Sequence, residues 1–107
     1  MTDKKIVLTT AGSPEEARKI SAALVERKLA ACVNIISGVT SIYRWKEKVQ
    51  SDQETLLIIK TTSAAFPRVR ATIQELHSYE TPECIAIAIE DGLPDYLEWL
   101  GKSVGVE

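Results

Sequence analysis

The chain has 107 residues, of which 45% are hydrophobic and 26% are charged. This composition is typical of a soluble globular protein and not of a disordered one, and the length predicts a single domain, residues 1–107. The net charge of −2 and the absence of a lysine and arginine cluster argue against nucleic acid or an anionic membrane surface as a partner. No apolar run approaches the ~18 residues that span a bilayer, and the first residues lack a signal-sequence core, so we expect a cytoplasmic protein.

The first predicted elements are a strand and a helix. Residues 5–10 form a β-branched run that is typical of a strand. Ser13 can cap the following helix, Pro14 suits its first position, and Glu16 can complete a capping box by reaching back to the cap amide. Ile20 and Leu24 lie on one helical face, which predicts a helix of about fifteen residues packed on a sheet.

The segment 29–62 predicts a long β-hairpin, because β-branched and aromatic residues flank a polar, charged centre. Gly38 in the first arm indicates a bulge or bend. At roughly 3.3 Å per residue, an arm from Val39 to Val49 would extend about 33 Å, which is longer than a typical strand. A small domain has no core deep enough to cover such an arm, and open edges favour pairing with another chain. The hairpin therefore predicts an oligomer.

The second half predicts a helix, a strand and a terminal helix. An apolar stripe at Val69, Ile73 and Leu76 indicates a helix that ends before Pro82. Period-two alternation over residues 83–90 predicts a strand, and a short helix follows from residues 93–95.

The resulting order, β-α-β-β-α-β plus a C-terminal helix, is that of the α+β, ferredoxin-like split βαβ sandwich. Right-handed crossovers place both helices of the repeat on one face of the sheet. The first and third strands are then central, and the second and fourth are edges. Cys32 and Cys84 lie on those two edges, so we expect buried free thiols and no intrachain disulfide.

Five segments resemble, in order, the CutA family of divalent-cation tolerance proteins: RKLAACVNI, SIYRWKEKV, LLIIKTT, HSYETPE and YLEWL. The resemblance runs from Val7 to Leu100. It implies a ferredoxin-like homotrimer whose long hairpins pair across subunits, and a link to tolerance of copper and other divalent metals. It also implies a likeness of fold and trimer to the PII signalling proteins. The family often has glycine in the hairpin turn, where this chain has Glu47.

His77 is the candidate metal ligand. A divalent ion needs several His, Cys or carboxylate ligands, and this chain has one histidine and no CxxC or HxxxH spacing. The resemblance implies His77 as a ligand for Cu²⁺ or another divalent cation, with Thr9 and Leu76 at the positions that hold the other ligands in copper-binding members. A neighbouring subunit could add ligands. The competing interpretation is that His77 only bonds the last carbonyls of its helix.

A second candidate site combines Tyr43, Trp45, Lys60, Tyr79 and Glu80. Tyr43 and Trp45 share one face of a strand, and Lys60 ends an otherwise apolar strand. The resemblance implies that these positions cluster near subunit contacts. Aromatic walls with one cation and one carboxylate could hold a small anion in an inter-subunit cleft. The alternative is that the aromatic side chains pack in the interface and Lys60 pairs with Glu80.

Three functions follow as hypotheses. The first is a binding or signalling protein linked to divalent-metal tolerance and not an enzyme, because the chain has no phosphate-binding glycine loop and no evident activated thiol. The second is a PII-like regulatory module that binds a small anionic ligand in the inter-subunit cleft and passes that state to a partner protein. A third, an enzyme using Glu80, Tyr79 and Lys60 as acid–base groups, has no substrate suggested by the sequence.

Overall fold

The computed structural model describes residues 2–105, and that range contains four strands and three helices. They follow the predicted order β-α-β-β-α-β-α. Their bounds are β1 Lys4–Ala11, α1 Pro14–Glu26, β2 Cys32–Trp45, β3 Lys48–Thr62, α2 Phe66–Leu76, β4 Ile85–Ala88 and α3 Pro94–Ser103.

The strands form one antiparallel sheet in the order β2-β3-β1-β4, which confirms β1 and β3 as the central strands. Helices α1 and α2 pack on one face of this sheet and bury a single apolar core, and each large side chain buried there contributes about 1.5–3 kcal/mol. The chain is therefore an α+β, ferredoxin-like sandwich. The principal core side chains are Val7, Ile20, Leu24, Leu57, Ile59, Val69 and Ile73.

The other face of the sheet is not covered by α1 and α2. Cross-strand register places Ile6 opposite Ile87 and Leu8 opposite Ile85 on this face, because side chains alternate along each strand. Ile85 and Ile87 are 50% and 48% exposed. An apolar sheet face of this kind is a surface suited to contact with another protein chain.

The β2–β3 hairpin extends well beyond the core and accounts for the longest dimension of the fold, 44 Å. The strand register shifts between Ile36 and Val39, and Gly38 has φ +78°, which confirms the predicted bulge. At the far end, Lys46 and Glu47 form a two-residue turn in which both have positive φ, +50° and +65°. This is the type I′ geometry that matches the twist of a hairpin.

Helix α1 begins as predicted, with one difference. Ser13 Oγ accepts the Glu16 N–H at 3.1 Å, and Pro14 is the first helical residue. The Glu16 carboxylate does not return to the Ser13 amide, as a capping box requires. It accepts instead from Gly12 N, at 3.3 Å, and from the Ser78 N–H. The helix has 13 residues, somewhat fewer than expected.

The last strand and the cysteines also differ from expectation. Strand β4 covers Ile85–Ala88, shorter than the predicted 83–90, because it pairs only with residues 5–8 of β1. Cys32 and Cys84 are free thiols, as predicted, but they are half-buried and not fully buried. Partial burial raises the pKa of the Cys84 thiol, so this side chain is a weak nucleophile at neutral pH.

Candidate functional site

A groove of about 450 Å³ lies between the β2–β3 hairpin and the segment that joins α2 to β4. Tyr43, Trp45 and Glu54 contribute from the hairpin, where alternation puts them on the same strand face. Tyr79 and Glu80 contribute from the connecting segment. The structure thus brings together four of the five residues predicted for the second site. The complete lining is Thr10, Tyr43, Trp45, Glu54, Tyr79, Glu80, Thr81 and Glu83.

Two phenol groups are tied to carboxylates of β3. Tyr79 Oη donates to Glu54 Oε2 at 2.7 Å, and Tyr43 Oη donates to Asp52 Oδ2. Burial, followed by the Glu54 hydrogen bond, raises the pKa of Tyr79 to about 12. The hydrogen bond to Asp52 is the main cause that raises the pKa of Tyr43. Both phenols therefore stay neutral donors at physiological pH, and the carboxylates carry the charge of the groove.

The groove is acidic. Glu54, Glu80 and Glu83 line it, and none of the lining residues is Lys, Arg or His. Lys60, the cation predicted for this site, lies elsewhere: its Nζ donates to Asn34 Oδ1. Within residues 2–105 no ion pair joins Lys60 to Glu80, whose backbone oxygen accepts from a glutamine instead. The predicted pairing of Lys60 with Glu80 does not form within one chain, and a pairing between subunits stays a prediction.

His77 is buried behind the groove, and both of its ring nitrogens have protein partners. Nε2 lies 2.6 Å from Thr10 O, and Nδ1 accepts the Tyr79 N–H at 3.0 Å. Its backbone N–H bonds Ile73 O at 2.9 Å, which agrees with its position at the end of α2. A metal ion bound to this ring would displace one of the two ring contacts. The role of His77 as a metal ligand stays a prediction.

The other two positions that the resemblance connects with copper are Thr9 and Leu76, whose side chains are weak or non-coordinating groups. Thr9 is fully buried, and Leu76 packs partly buried against the core. Across the part of the chain that the structure describes, no three His, Cys, Asp or Glu side chains are grouped closely enough to hold a metal ion by themselves. A cation at the groove would therefore take part of its coordination shell from water or from another chain.

The sequence interpretation missed four lining residues: Thr10, Glu54, Thr81 and Glu83. The position of Glu54 on the strand could have been predicted from the sequence: it follows Asp52 by two residues, so the two carboxylates lie on the same face of the strand. Its pairing with Val39 places it on the face of Tyr43 and Trp45. The other three join the groove only through the path of the chain after α2 and the end of β1, which no local pattern indicates.

Fold and groove together define a ferredoxin-like α+β protein with an acidic, ligand-sized groove beside an extended hairpin. Residues 5–103 match the family model described as CutA1 divalent ion tolerance protein, and the chain belongs to that family.

Relatives and solved structures agree with this assignment. The divalent-cation tolerance protein CutA of Thermus thermophilus is 50% identical over 102 residues, which are 95% of this chain and 99% of that protein. A solved structure of the Thermus thermophilus protein has a TM-score of 0.94. The solved structure of the periplasmic divalent cation tolerance protein CutA from Archaeoglobus fulgidus is 41% identical, with a TM-score of 0.92 and coverage of 95% of this chain and 99% of that one.

The predicted cytoplasmic location is overturned by these relatives. The Archaeoglobus fulgidus protein is named as periplasmic. Protein CutA of Arabidopsis thaliana, 44% identical over 92% of this chain, is named as chloroplastic, and the chain spans 54% of its length. The expectation was wrong because it took cytoplasm as a default, whereas the fold occurs in several compartments. Among residues 2–105 no helix combines the length and apolar character needed to cross a membrane.

Proposed function

We propose that this protein acts in divalent-cation tolerance by binding a divalent metal cation in the groove, and that it does so as a homotrimer and not as an enzyme. The observation that carries the proposal is the lining itself. Three carboxylates, those of Glu54, Glu80 and Glu83, border one groove, and no basic side chain among its lining residues offsets their charge. Its relatives are named as tolerance proteins, which agrees with binding.

The donor set suits an ion that prefers oxygen. Ions such as Mg²⁺ keep several waters and are bound through one or two carboxylates, which fits a groove whose carboxylates do not form a complete cage within the described residues. The groove offers neither imidazole nor thiolate, the ligands that favour copper by softness. Cu²⁺ remains one of the candidate ions, because the affinity of a given oxygen site for divalent ions rises along the first-row series towards copper.

The anionic alternative is disfavoured by the same lining. At an effective dielectric constant near 20, an anion about 4 Å from one carboxylate meets a repulsion of about 4 kcal/mol. Lys60 was expected to offset that repulsion with its positive charge, but its ammonium group donates a hydrogen bond to Asn34. A PII-like regulatory module that binds a small anion would need a cation from a neighbouring chain.

The homotrimer is supported by the apolar surface of the hairpin. Ile42, Trp45 and Val49, beyond the reach of the core, are 71%, 60% and 67% exposed. We expect Trp45→Asp to lower the mass measured by light scattering, because it places a charge on an apolar contact surface. Ser63→Asp adds the same charge at an exposed position just after β3, at the end of that strand away from the hairpin turn, and is the control. An unchanged mass in Trp45→Asp would remove Trp45 from the interface.

Calorimetric titration of the metal-free protein with Mn²⁺ and with Cu²⁺ tests the cation site. Glu80→Gln should weaken binding about tenfold, equivalent to ~1.4 kcal/mol, because it removes one charge from the groove without changing its shape. Glu90→Gln removes the same charge from an exposed position outside the lining and should leave the affinity unchanged.

His77→Ala decides between the two candidate metal sites. Cu²⁺ binding that is lost in His77→Ala but kept in Glu80→Gln would place the ion at His77 and refute the groove. Binding of phosphate in place of either metal ion would support the anionic alternative.

A further inference from the structure

Two side chains join the end of β1 and the turn after it to the segment that carries Tyr79 into the groove. These are His77, at the end of α2, and Glu16, in the first turn of α1. Neither lines the groove. Both connect elements that are more than 60 residues apart in the sequence, so each contact is a tertiary one.

The partners of His77 define its hydrogen-bonding state. A carbonyl oxygen only accepts, so the ring nitrogen that faces Thr10 O must be the donor, which makes Nε2 the protonated nitrogen. Nδ1 is then the acceptor, and it faces the Tyr79 N–H at 3.0 Å. The imidazole therefore connects the end of β1 with the backbone of Tyr79, with Nε2 as the donor and Nδ1 as the acceptor.

Glu16 makes the second connection. Its Oε2 accepts the Ser78 N–H at 2.6 Å, and its Oε1 accepts from Ser78 Oγ at 3.2 Å and from Gly12 N at 3.3 Å. The Glu16 side chain is only 15% exposed. Partial burial acts to raise the pKa of this carboxyl, but the hydrogen bonds from Ser78 and Gly12 outweigh it, so the pKa lies below its usual value and the carboxylate stays charged.

Tyr79 is consequently held at three points. Its N–H bonds the His77 ring, its own ring packs on that imidazole with centroids 4.5 Å apart, and its hydroxyl donates to Glu54. The turn after β1 also limits it: a Cβ added at Gly12 would lie 3.3 Å from Tyr79 Oη. The phenol has little freedom to leave the Glu54 carboxylate.

We propose that His77 and Glu16 are positioning residues that hold Tyr79 against Glu54 and thereby set where one carboxylate of the groove points. The part that concerns cation affinity rests on the proposed function; the part that concerns Tyr79 does not. His77 then serves the groove from behind and is not a ligand of the ion.

Paired substitutions at His77 separate positioning from simple stability. His77→Asn keeps an acceptor near the position of Nδ1, so the Tyr79 N–H retains its partner, whereas His77→Gln keeps only a donor near the position of Nε2. We expect the Tyr79 amide to exchange with solvent about tenfold faster in His77→Gln than in His77→Asn. Glu16→Gln should accelerate exchange of the Ser78 amide by a smaller factor, and it tests the second connection if His77 variants do not fold. Unchanged protection of both amides would overturn the proposal.

A double-mutant cycle with Tyr79→Phe tests the link to the groove. Tyr79→Phe removes the hydroxyl that bonds Glu54 and leaves the backbone contact to His77 in place. If His77 acts through Tyr79, His77→Gln weakens Mn²⁺ binding in the wild-type background and has no further effect in Tyr79→Phe. Additive losses would contradict positioning. If no variant binds Mn²⁺, the proposed function fails, but the amide exchange still tests the positioning of Tyr79.

Discussion

Replacing Glu47 with glycine should stabilise the protein, because the hairpin turn holds this residue at φ +65°. A left-handed backbone costs a residue with a Cβ about 1–2 kcal/mol, and glycine avoids that cost. Glycine in turn loses about 0.5–1 kcal/mol more conformational entropy on folding. The expected net gain is about 0.5–1 kcal/mol. Because ~1 kcal/mol moves the midpoint of a domain of this size by about 4–8 °C, the rise in Tm should be about 2–8 °C.

Thermal unfolding followed by circular dichroism, at one fixed protein concentration, measures this difference. Lys48→Gly is the matched control: it removes a neighbouring exposed charge, but Lys48 is the first residue of extended β3, where glycine relieves no strain and should cost about 0.5–1 kcal/mol. A Glu47→Gly variant that melts at or below the temperature of the wild type would show that the positive φ at this residue costs no stability. The result also bears on function, since this turn directly follows Trp45 of the groove.

Three further changes test the core and the hydrogen bonds of the site. Glu54→Gln should lower the pKa of Tyr79 from about 12 towards, but not to, 10.0, because burial remains; NMR titration of the Tyr79 ring measures it. The same raised pKa stabilises the fold fully below pH 10 and loses that contribution as pH rises towards 12, so the loss of stability over this range should be smaller in Glu54→Gln than in the wild type. The pKa of Glu16 is lowered, so the stabilisation by its carboxylate is present above about pH 4.5 and is lost as pH falls through the folded pKa. In urea titrations, Glu16→Gln should lower the free energy of unfolding by about 1–2 kcal/mol at pH 7 and by less in acid. An equal loss at both pH values would contradict this. Ile59→Ala, in a fully buried position of a central strand, should cost about 2–5 kcal/mol, against less than ~0.5 kcal/mol for the half-exposed Val25→Ala.

Local chemistry accounts for the elements that the sequence predicted well. Ser13 and Pro14 define the start of α1 whatever lies nearby, because capping involves only the first helical turn. Gly38 marks the bulge for a similar reason, since the positive φ there excludes most residues without regard to partners. The alternation over residues 83–90 was a weaker guide to the length of β4, because the extent of a strand depends on the partner available, and β1 pairs with only part of that run.

The site was predicted less completely because its residues meet through contacts between elements that are distant in the chain. Lys60 was expected in the cleft, yet it lies six residues from Glu54 along β3, a separation of about 20 Å at ~3.3 Å per residue. Glu83 and Thr81 enter the groove through an irregular connection whose path no repeat or spacing describes. His77 was weighed as a ligand or a helix cap, and its contact with the Thr10 carbonyl depends on an element distant in the chain.

Sequence alone was sufficient for the order of the elements, the bulge of the hairpin and the family, because these depend on periodicity, on backbone preferences and on motifs that are local in the chain. The position of the hairpin turn was not predicted, since the expected arm from Val39 to Val49 runs through the turn at Lys46 and Glu47. The charge of the groove and the partners of His77 became evident only in the folded chain. Both follow from tertiary contacts that bring together a carboxylate of β3, a phenol after α2 and a carbonyl of β1, although no local pattern connects them.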